Sequence, residues 1–336
     1  MIGSSLRTKA HLMRMALSLT SAAGKQVQPL VGNFQGNFNM EQFFRRKDKV
    51  VVVMGATGTG KSRLAIELAT RFPSEIVNSD KIQVYEGLDV VTNKVTEEER
   101  RGIPHHLLSS IDPKSNFSSR DFTHHASVAI ESILARDRLP IIAGGSNSYI
   151  EALVNDYAEA RFRYEFCFLW VDVSLPILQK FVSDRVDRMV DGGFVEEVRQ
   201  IFDPEGDYSQ GIKRAIGVPE LHEYLRAERD GADERVLKIL LELAISRIKD
   251  NTCRLAFRQL EKIRLLHTKW NWNLRRLDAT GAFLTDGENS VDVWEKLVLE
   301  PSSRIVDQFL CDGSRRITTG ISTPDAVSRA VAAVSR

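Results

Sequence analysis

The sequence predicts an α/β fold, a parallel sheet with helices on both faces, joined to a mostly helical C-terminal part. Three observations predict it. Short apolar runs of strand length alternate with helical patterns up to about residue 175. The first run, Val50 to Met54, leads straight into Gly55-Ala-Thr-Gly58-Thr-Gly60-Lys61-Ser62 and then into a helix-like segment. Beyond Pro176 the periodicity is helical almost throughout.

The elements follow in order. Residues 49–54 read as a buried strand and Arg63 to Arg71 as the helix after the glycine-rich loop. Glu75 to Asn78 is a short strand ending at Ser79-Asp80, and the alternating Lys81 to Tyr85 extends or follows it. Thr96 to Arg101 is a charged turn or short helix. Asp121 to Arg136 is a helix with Phe122, Ala126, Ala129, Ile130 and Ile133 on one face. Leu139 to Ala143 is a buried strand closed by Gly144-Gly145, and Ser146 is placed to cap a helix reaching Val154. Phe166 to Val173 is a further strand, and Pro176 starts a helix at its permissive first turn. The second half reads as helices over Ile177–Val190, Phe194–Phe202, Val218–Arg229, Asp233 to about His267 (one helix or a pair) and Val293–Leu299. The domain reading is a transit peptide and linker over 1–45, an α/β core over 46–175, a helical substrate-binding part with remaining core elements over 176–310, and a loosely ordered tail over 311–336.

Composition narrows the function classes. The net charge is +1, but residues 1–40 hold Arg7, Lys9, Arg14 and Lys25 and no acid. The chain from residue 51 onward is mildly acidic, with 38 basic and 43 acidic residues, the chain's 46 and 45 less the 8 and 2 in residues 1–50. A broad nucleic-acid-binding face is therefore not expected. The basic, hydroxyl-rich start has the composition of an organelle transit peptide, and no run approaches membrane-spanning length. Cys167, Cys253 and Cys311 are too scattered for a disulfide framework or a zinc site.

The loop Gly55 to Ser62 carries the chemistry. Its order and context are those of a P-loop, which makes the predicted core P-loop NTPase-like. Gly55, Ala56, Thr57, Gly58, Thr59 and Gly60 aim backbone N–H groups at phosphate oxygens. Lys61 reaches an outer phosphate, and the Ser62 hydroxyl suits a Mg²⁺ ion. Asp80, at a strand end beside this loop, reads as a metal ligand or a general base. Asp172, ending an apolar strand, reads equally as a Walker-B metal ligand or as the cap of the Pro176 helix. His105-His106 and His124-His125 do not predict a metal site, because adjacent side chains point apart. Lys94, Arg185 with Arg188, and Lys213-Arg214 are the basic groups that a polyphosphate ligand would need. The P-loop alone also fits a small-molecule kinase or a nucleotide-binding switch.

Several further motifs lie in one order: Asn78-Ser-Asp-Lys-Ile-Gln-Val84, Thr92-Asn-Lys94, Pro104-His-His-Leu-Leu108, Gly144-Gly-Ser-Asn-Ser-Tyr149, Arg185-Val-Asp-Arg-Met189, Ile212-Lys-Arg-Ala-Ile-Gly217 and Asn251-Thr-Cys-Arg-Leu-Ala-Phe-Arg-Gln259. With the P-loop, and over roughly residues 48–310, the chain resembles the isopentenyltransferases, and among them the plant adenylate type of cytokinin biosynthesis. The resemblance implies transfer of a dimethylallyl group from dimethylallyl diphosphate to the exocyclic amine of adenine in ADP, ATP or AMP. It implies the P-loop and Lys61 on the donor diphosphate, Mg²⁺ at Ser62 and Asp80 as general base. Thr92, Lys94, Asn147, Arg185, Lys213 and Arg214 would then bind nucleotide and phosphate. Phe257 departs from the small residue or Cys expected at its place. A tRNA dimethylallyltransferase is the alternative within the same fold. The Ala56-Thr57 pair, the acidic body and the lack of a Cys₂His₂ segment favour a free nucleotide over tRNA.

The leader generates a test. Residues 1–40 fused to a fluorescent reporter should direct it to plastids. Diffuse cytosolic signal would count against a transit peptide, and mitochondrial signal would change the organelle.

Overall fold

The computed structural model describes residues 47–156, 158–285, 287 and 289–318. The expected leader and linker, and the end of the expected tail from residue 319, lie outside the described residues. The core begins with β1 (Asp48–Met54), which supplies both faces of a sheet. Val50, Val52 and Met54 enter one hydrophobic core and Val51 and Val53 the other, all five fully buried. An unbroken apolar run is what a central parallel strand covered on both sides requires.

After the P-loop come α1 (Lys61–Arg71), β2 (Ser74–Asn78), α2 (Glu97–Arg100) and β3 (His105–His106). Then follow α3 (Ser119–Leu134), β4 (Leu139–Ala143), α4 (Asn147–Glu151), which runs on into a wider helical turn over Ala152–Asp156, and α5 (Ala158–Arg163). Beyond these lie β5 (Tyr164–Asp172), α6 (Leu175–Asp191), α7 (Phe194–Gln200) and α8 (His222–Arg229). The long α9 (Glu234–Trp270) precedes β6 (Leu274–Asp278), and α10 (Thr280–Leu284), α11 (Asn289–Trp294) and α12 (Glu300–Thr318) complete the described chain.

The six strands lie in the order β3-β2-β4-β1-β5-β6, every neighbouring pair parallel. From β1 the chain crosses to β2, returns to β4 beside β1, then passes to β5 on its other side. That reversal puts a crevice beyond the carboxyl ends of β1, β2 and β4, where open α/β sheets bind ligands. One face packs against α3 and α9 through Phe122, Ile130, Ile133, Ile263 and Leu266. The other packs against α1, α6 and the C-terminal helices through Leu64, Leu68, Leu178, Val182, Trp294 and Val306.

Several elements differ from the sequence expectation. Lys81 to Val84 forms turns rather than a strand extension, and Tyr85 makes an isolated parallel bridge to Ile111. Ser146 stands at the start of α4 but does not cap it with its side chain; its Oγ accepts from Lys81 N at 2.8 Å. The helix expected from Val218 begins at His222. Residues Asp233 to His267 form one helix rather than a pair, with Asp233 accepting from the N–H groups of Arg235 and Val236. A buried stripe of Ala244, Ile248, Thr252, Ala256, Leu260 and Ile263 holds it to the body. β3 and β6 were not expected: the first has two residues, and only Leu277 of the second is buried. α12 continues past Cys311, where a loose tail was expected, to Thr318. No described helix is long and apolar enough to cross a membrane.

Glu151, at the end of α4, ties that segment to α9. It accepts from Lys262 Nζ at 2.7 Å, Trp270 Nε1 at 2.8 Å and Lys269 Nζ at 3.1 Å. Burial alone would raise its pKa, but these three donors outweigh it and hold the group at about 2. A depressed carboxylate pKa stabilises the fold above its unfolded value and loses that contribution as pH falls toward the folded one. Glu151→Gln should therefore lose roughly 1–3 kcal/mol at neutral pH. The gap to wild type should close between about pH 4.5 and 2 in urea titrations, and a gap independent of pH would refute the linkage.

Candidate active site

The glycines of the P-loop are required by its conformation and its neighbours. Gly58 has φ +83° and Gly60 φ +90°, a left-handed region that costs other residues strain. A Cβ at Gly58 would lie 2.6 Å from Val182 of α6, and one at Gly60 2.5 Å from the Trp294 ring. Two helices from the second half thus press the loop against β1. Trp294 is fixed in turn by its Nε1–H, which donates to Glu67 of α1 at 2.7 Å, and Glu67 pairs with Arg63 at 2.9 Å.

Lys61 is buried at the start of α1, with its Nζ donating to Ala56 O across the loop at 2.7 Å. Burial lowers its pKa to about 8, against an opposing pull from the Asp80 charge and with a smaller push from Arg185. Asp80 and Lys61 are therefore electrostatic neighbours. Arg185 on α6 donates to Thr57 Oγ1 at 3.1 Å, while its buried Nε has no acceptor among the described residues. Burial, then Arg188, lowers the Arg185 pKa to about 10. A buried guanidinium with an unused donor beside a phosphate-binding loop suits an anion.

Asp80 is held by its own loop. Oδ1 accepts from Ile82 N at 2.9 Å and Gln83 N at 3.3 Å, while Oδ2 faces Gly145, where a Cβ would stand 3.4 Å away. The loops after β2 and β4 are stitched together by Ser146 N donating to Ser79 O at 3.1 Å and Lys81 N to Ser146 Oγ. Gly144 permits this, because a Cβ there would sit 2.5 Å from Ser79 backbone. Among the described residues, the donors to Asp80 all meet Oδ1.

Thr57, Gly58, Gly60, Lys61, Ser62, Asp80 and Arg185 all line one open cleft of about 790 Å³. Its other wall carries Ile177, Phe181, Leu255, Phe283 and Leu284, an apolar surface facing a cationic loop. Ser62 is exposed there, a hard oxygen donor of the kind a divalent cation takes.

Other expected groups are engaged elsewhere. Lys94 is buried and gives its Nζ to Tyr85 O, Gly87 O and Asp89 Oδ1, all within 2.8 Å, so it closes its own loop rather than facing the cleft. Thr92 donates to Leu88 O at 2.7 Å in the same turn. Lys213 lies 3.5 Å from Asp203, and Arg214 donates to Gly211 O at 3.2 Å and to Tyr85 Oη at 3.2 Å; neither lines the cleft. Arg214 nevertheless lies close enough to Tyr149 to act on its pKa, as does Asp80; burial, then Tyr85, dominates and raises that phenol to about 12. Asn147 is buried, with Nδ2 donating to Gln259 O at 3.2 Å. Asp172 takes neither expected role: it accepts from Arg276 of β6 at 2.7 Å and lies off the cleft lining. His106 bonds Glu75 at 2.7 Å and His105 bonds Ile103 O at 2.8 Å; among the described residues no His, Cys, Asp or Glu cluster could hold a metal ion. Phe257 is exposed on α9.

Sequence reasoning missed Gln259, Phe283 and Trp294 as parts of the site. Gln259 closes a motif and was visible as a polar residue on a largely apolar helix stripe. The other two carry no local signal, since their role depends on the return of the chain beneath the P-loop.

Known proteins align with these features. The family model described as IPP transferase matches residues 83–162 and 157–265. Adenylate isopentenyltransferase 5, chloroplastic, of Arabidopsis thaliana is 58% identical, over 94% of this chain and 98% of that protein. Adenylate isopentenyltransferase 7, mitochondrial, of the same plant is 54% identical, over 88% and 90%. A solved eukaryotic dimethylallyltransferase acting on tRNA superposes with a TM-score of 0.66 at 24% identity, covering 79% of this chain and 80% of that one, which shows the shared fold. The chain belongs to the isopentenyltransferase (IPP transferase) family and groups with its adenylate members.

The Lys61 pKa gives a pH test. The ammonium is charged below about pH 8, so its attraction for an anion is full there and falls above it. Calorimetry with inorganic diphosphate should show wild type binding more tightly than Lys61→Ala below pH 8, by roughly 10–100-fold, the scale of one charge-assisted contact. That advantage should shrink as pH rises through 8. A constant ratio from pH 6 to 10 would remove Lys61 from the anion site.

Proposed function

We propose that this protein transfers the dimethylallyl group of dimethylallyl diphosphate to the exocyclic amine of adenine in a free nucleotide, the first step of cytokinin synthesis. One observation carries the reading: a P-loop with a buried lysine and a strand-end carboxylate share one cleft and feel each other's charge. The kinship with adenylate isopentenyltransferases supports it.

The P-loop N–H groups other than those of Thr57 and Thr59, which donate to Gln259 and to Ala56 O, hold the donor diphosphate with Lys61 and Arg185. As the C1–O bond breaks, negative charge gathers on the departing diphosphate, where these fixed donors stabilise it. The C1–N6 bond forms, and the amine proton passes to Asp80, whose position is fixed by the Ile82 and Gln83 N–H groups. The apolar wall formed by Phe181, Phe283 and Leu284 receives the prenyl chain and keeps water from a carbon that gains positive character. A Mg²⁺ ion held at Ser62 would add charge stabilisation to the diphosphate. Arg214, beside Tyr85, with Lys213 next to it, is the second cationic site for the acceptor's phosphates, and Asn147 helps to place the nucleotide. Such a site favours ADP and ATP over AMP, and tRNA is a poor acceptor. The acid-free leader supports delivery to plastids.

The kinase reading loses its metal carboxylate, because Asp172 is paired with Arg276. The deciding experiment incubates the full chain with dimethylallyl diphosphate, Mg²⁺ and AMP, ADP, ATP or tRNA separately, with mass spectrometry of each product. ADP and ATP should gain a prenyl group and keep their phosphates. Asp80→Asn should lower turnover by about two to four orders of magnitude. Phosphoryl transfer, prenylated tRNA as the main product, or normal turnover of Asp80→Asn would each overturn the corresponding part.

A further inference from the structure

Gln259 lies on α9, roughly two hundred positions from the P-loop, yet its side chain joins the two halves of the cleft. Its Oε1 accepts from Thr57 N at 2.7 Å, and its Nε2 donates to Gly145 O at 2.9 Å. The first partner belongs to the phosphate-binding loop and the second to the loop after β4, which faces Asp80. The amide therefore uses both its polar ends, which fixes its orientation as well as its place.

Gly145 is shaped for this bridge. A Cβ there would meet Gln259 Nε2 at 2.5 Å and Asp80 Oδ2 at 3.4 Å. The same missing methyl group lets the glutamine amide in and brings it alongside the carboxylate. Asn147 adds a further tie from the β4 side, through its bond to the Gln259 main-chain oxygen.

We infer that Gln259 is a positioning residue that sets the distance between the P-loop and the Gly145–Asp80 side of the cleft. The inference rests on the reaction proposed above. There, the carbon attached to the diphosphate and the nitrogen beside Asp80 must approach within bonding reach. An error of about 1 Å in that distance costs on the order of a hundredfold in rate, while each substrate still finds its own half of the site intact. Loss of the bridge therefore falls on kcat rather than on either KM.

The test compares wild type with Gln259→Leu, Gln259→Glu, Gly145→Ala and the Gln259→Leu/Gly145→Ala double variant. Gln259→Glu keeps an acceptor for Thr57 N–H but sets an oxygen against Gly145 O. Gly145→Ala leaves α9 untouched and displaces the amide. Each single variant should lower kcat about 10–100-fold with both KM values within about threefold of wild type. The double variant should be no slower than the slower single, because both changes break one bridge. Unchanged kcat, a loss confined to KM, or multiplied effects in the double variant would overturn the inference. Hydrogen exchange gives a readout independent of prenyl transfer. Peptides covering 55–60 should exchange about tenfold faster in Gln259→Leu and Gln259→Glu, provided melting temperatures stay near wild type. Equal protection would overturn the bridge even in an active enzyme. Absence of prenyl transfer by wild type, with the exchange difference present, would overturn the assigned reaction alone. A Gln259→Leu chain that fails to fold leaves the decision to Gln259→Glu and Gly145→Ala.

Discussion

The site depends on how closely the P-loop is pressed between β1 and side chains that arrive much later in the chain. Val182 and the Trp294 ring occupy the space where Cβ atoms of Gly58 and Gly60 would stand. The loop can keep its left-handed turns only because glycines accept them, and its neighbours are placed only because the loop offers no side chains there. The anion-binding shape is thus a property of three distant segments together. A P-loop is often discussed as a local motif, but here its outer wall belongs to α6 and α11.

The parallel sheet supplies the second ingredient. Because β1, β2 and β4 run in one direction and stand side by side, their following loops share one end of the sheet. A lysine after β1 and a carboxylate after β2 therefore meet without any contact in sequence. Their surroundings differ. Burial weakens the hold of Lys61 on its proton, while Asp80 stays anchored by backbone N–H groups with one oxygen toward the cleft.

The sequence was legible where local pattern and tertiary demand agree. The apolar Val50–Met54 run of β1, the P-loop and the amphipathic α3 follow directly from spacing. So does the placement of Asp80, because a polar strand end in a parallel sheet has few other places to go. The second half was less legible. β6 holds Leu274-Arg-Arg-Leu-Asp278, which shows little apolar alternation because most of it is exposed at an edge. Lys94 looked like a phosphate ligand, but Asp89 and two carbonyls five to nine residues away claimed it, a competition that charge counting does not register. Asp172 was claimed likewise by Arg276, on a strand the pattern had not revealed. Contacts such as Gln259 with Thr57 are fixed by packing of α9 against the body, and no periodicity encodes them.

The two borders of the sheet carry one more consequence. An uncovered strand is a template onto which another extended chain can add, the first step of sheet-to-sheet aggregation. At one border β3 is too short to template more than a pair of residues. At the other, β6 presents Arg275, Arg276 and Asp278 to solvent, so an incoming strand would have to strip water from closely spaced charges. Both ends of the hydrogen-bonded array are thereby closed to growth, one by brevity and the other by hydration. The charge on β6 that hid the strand from pattern reading is also what keeps the sheet finite.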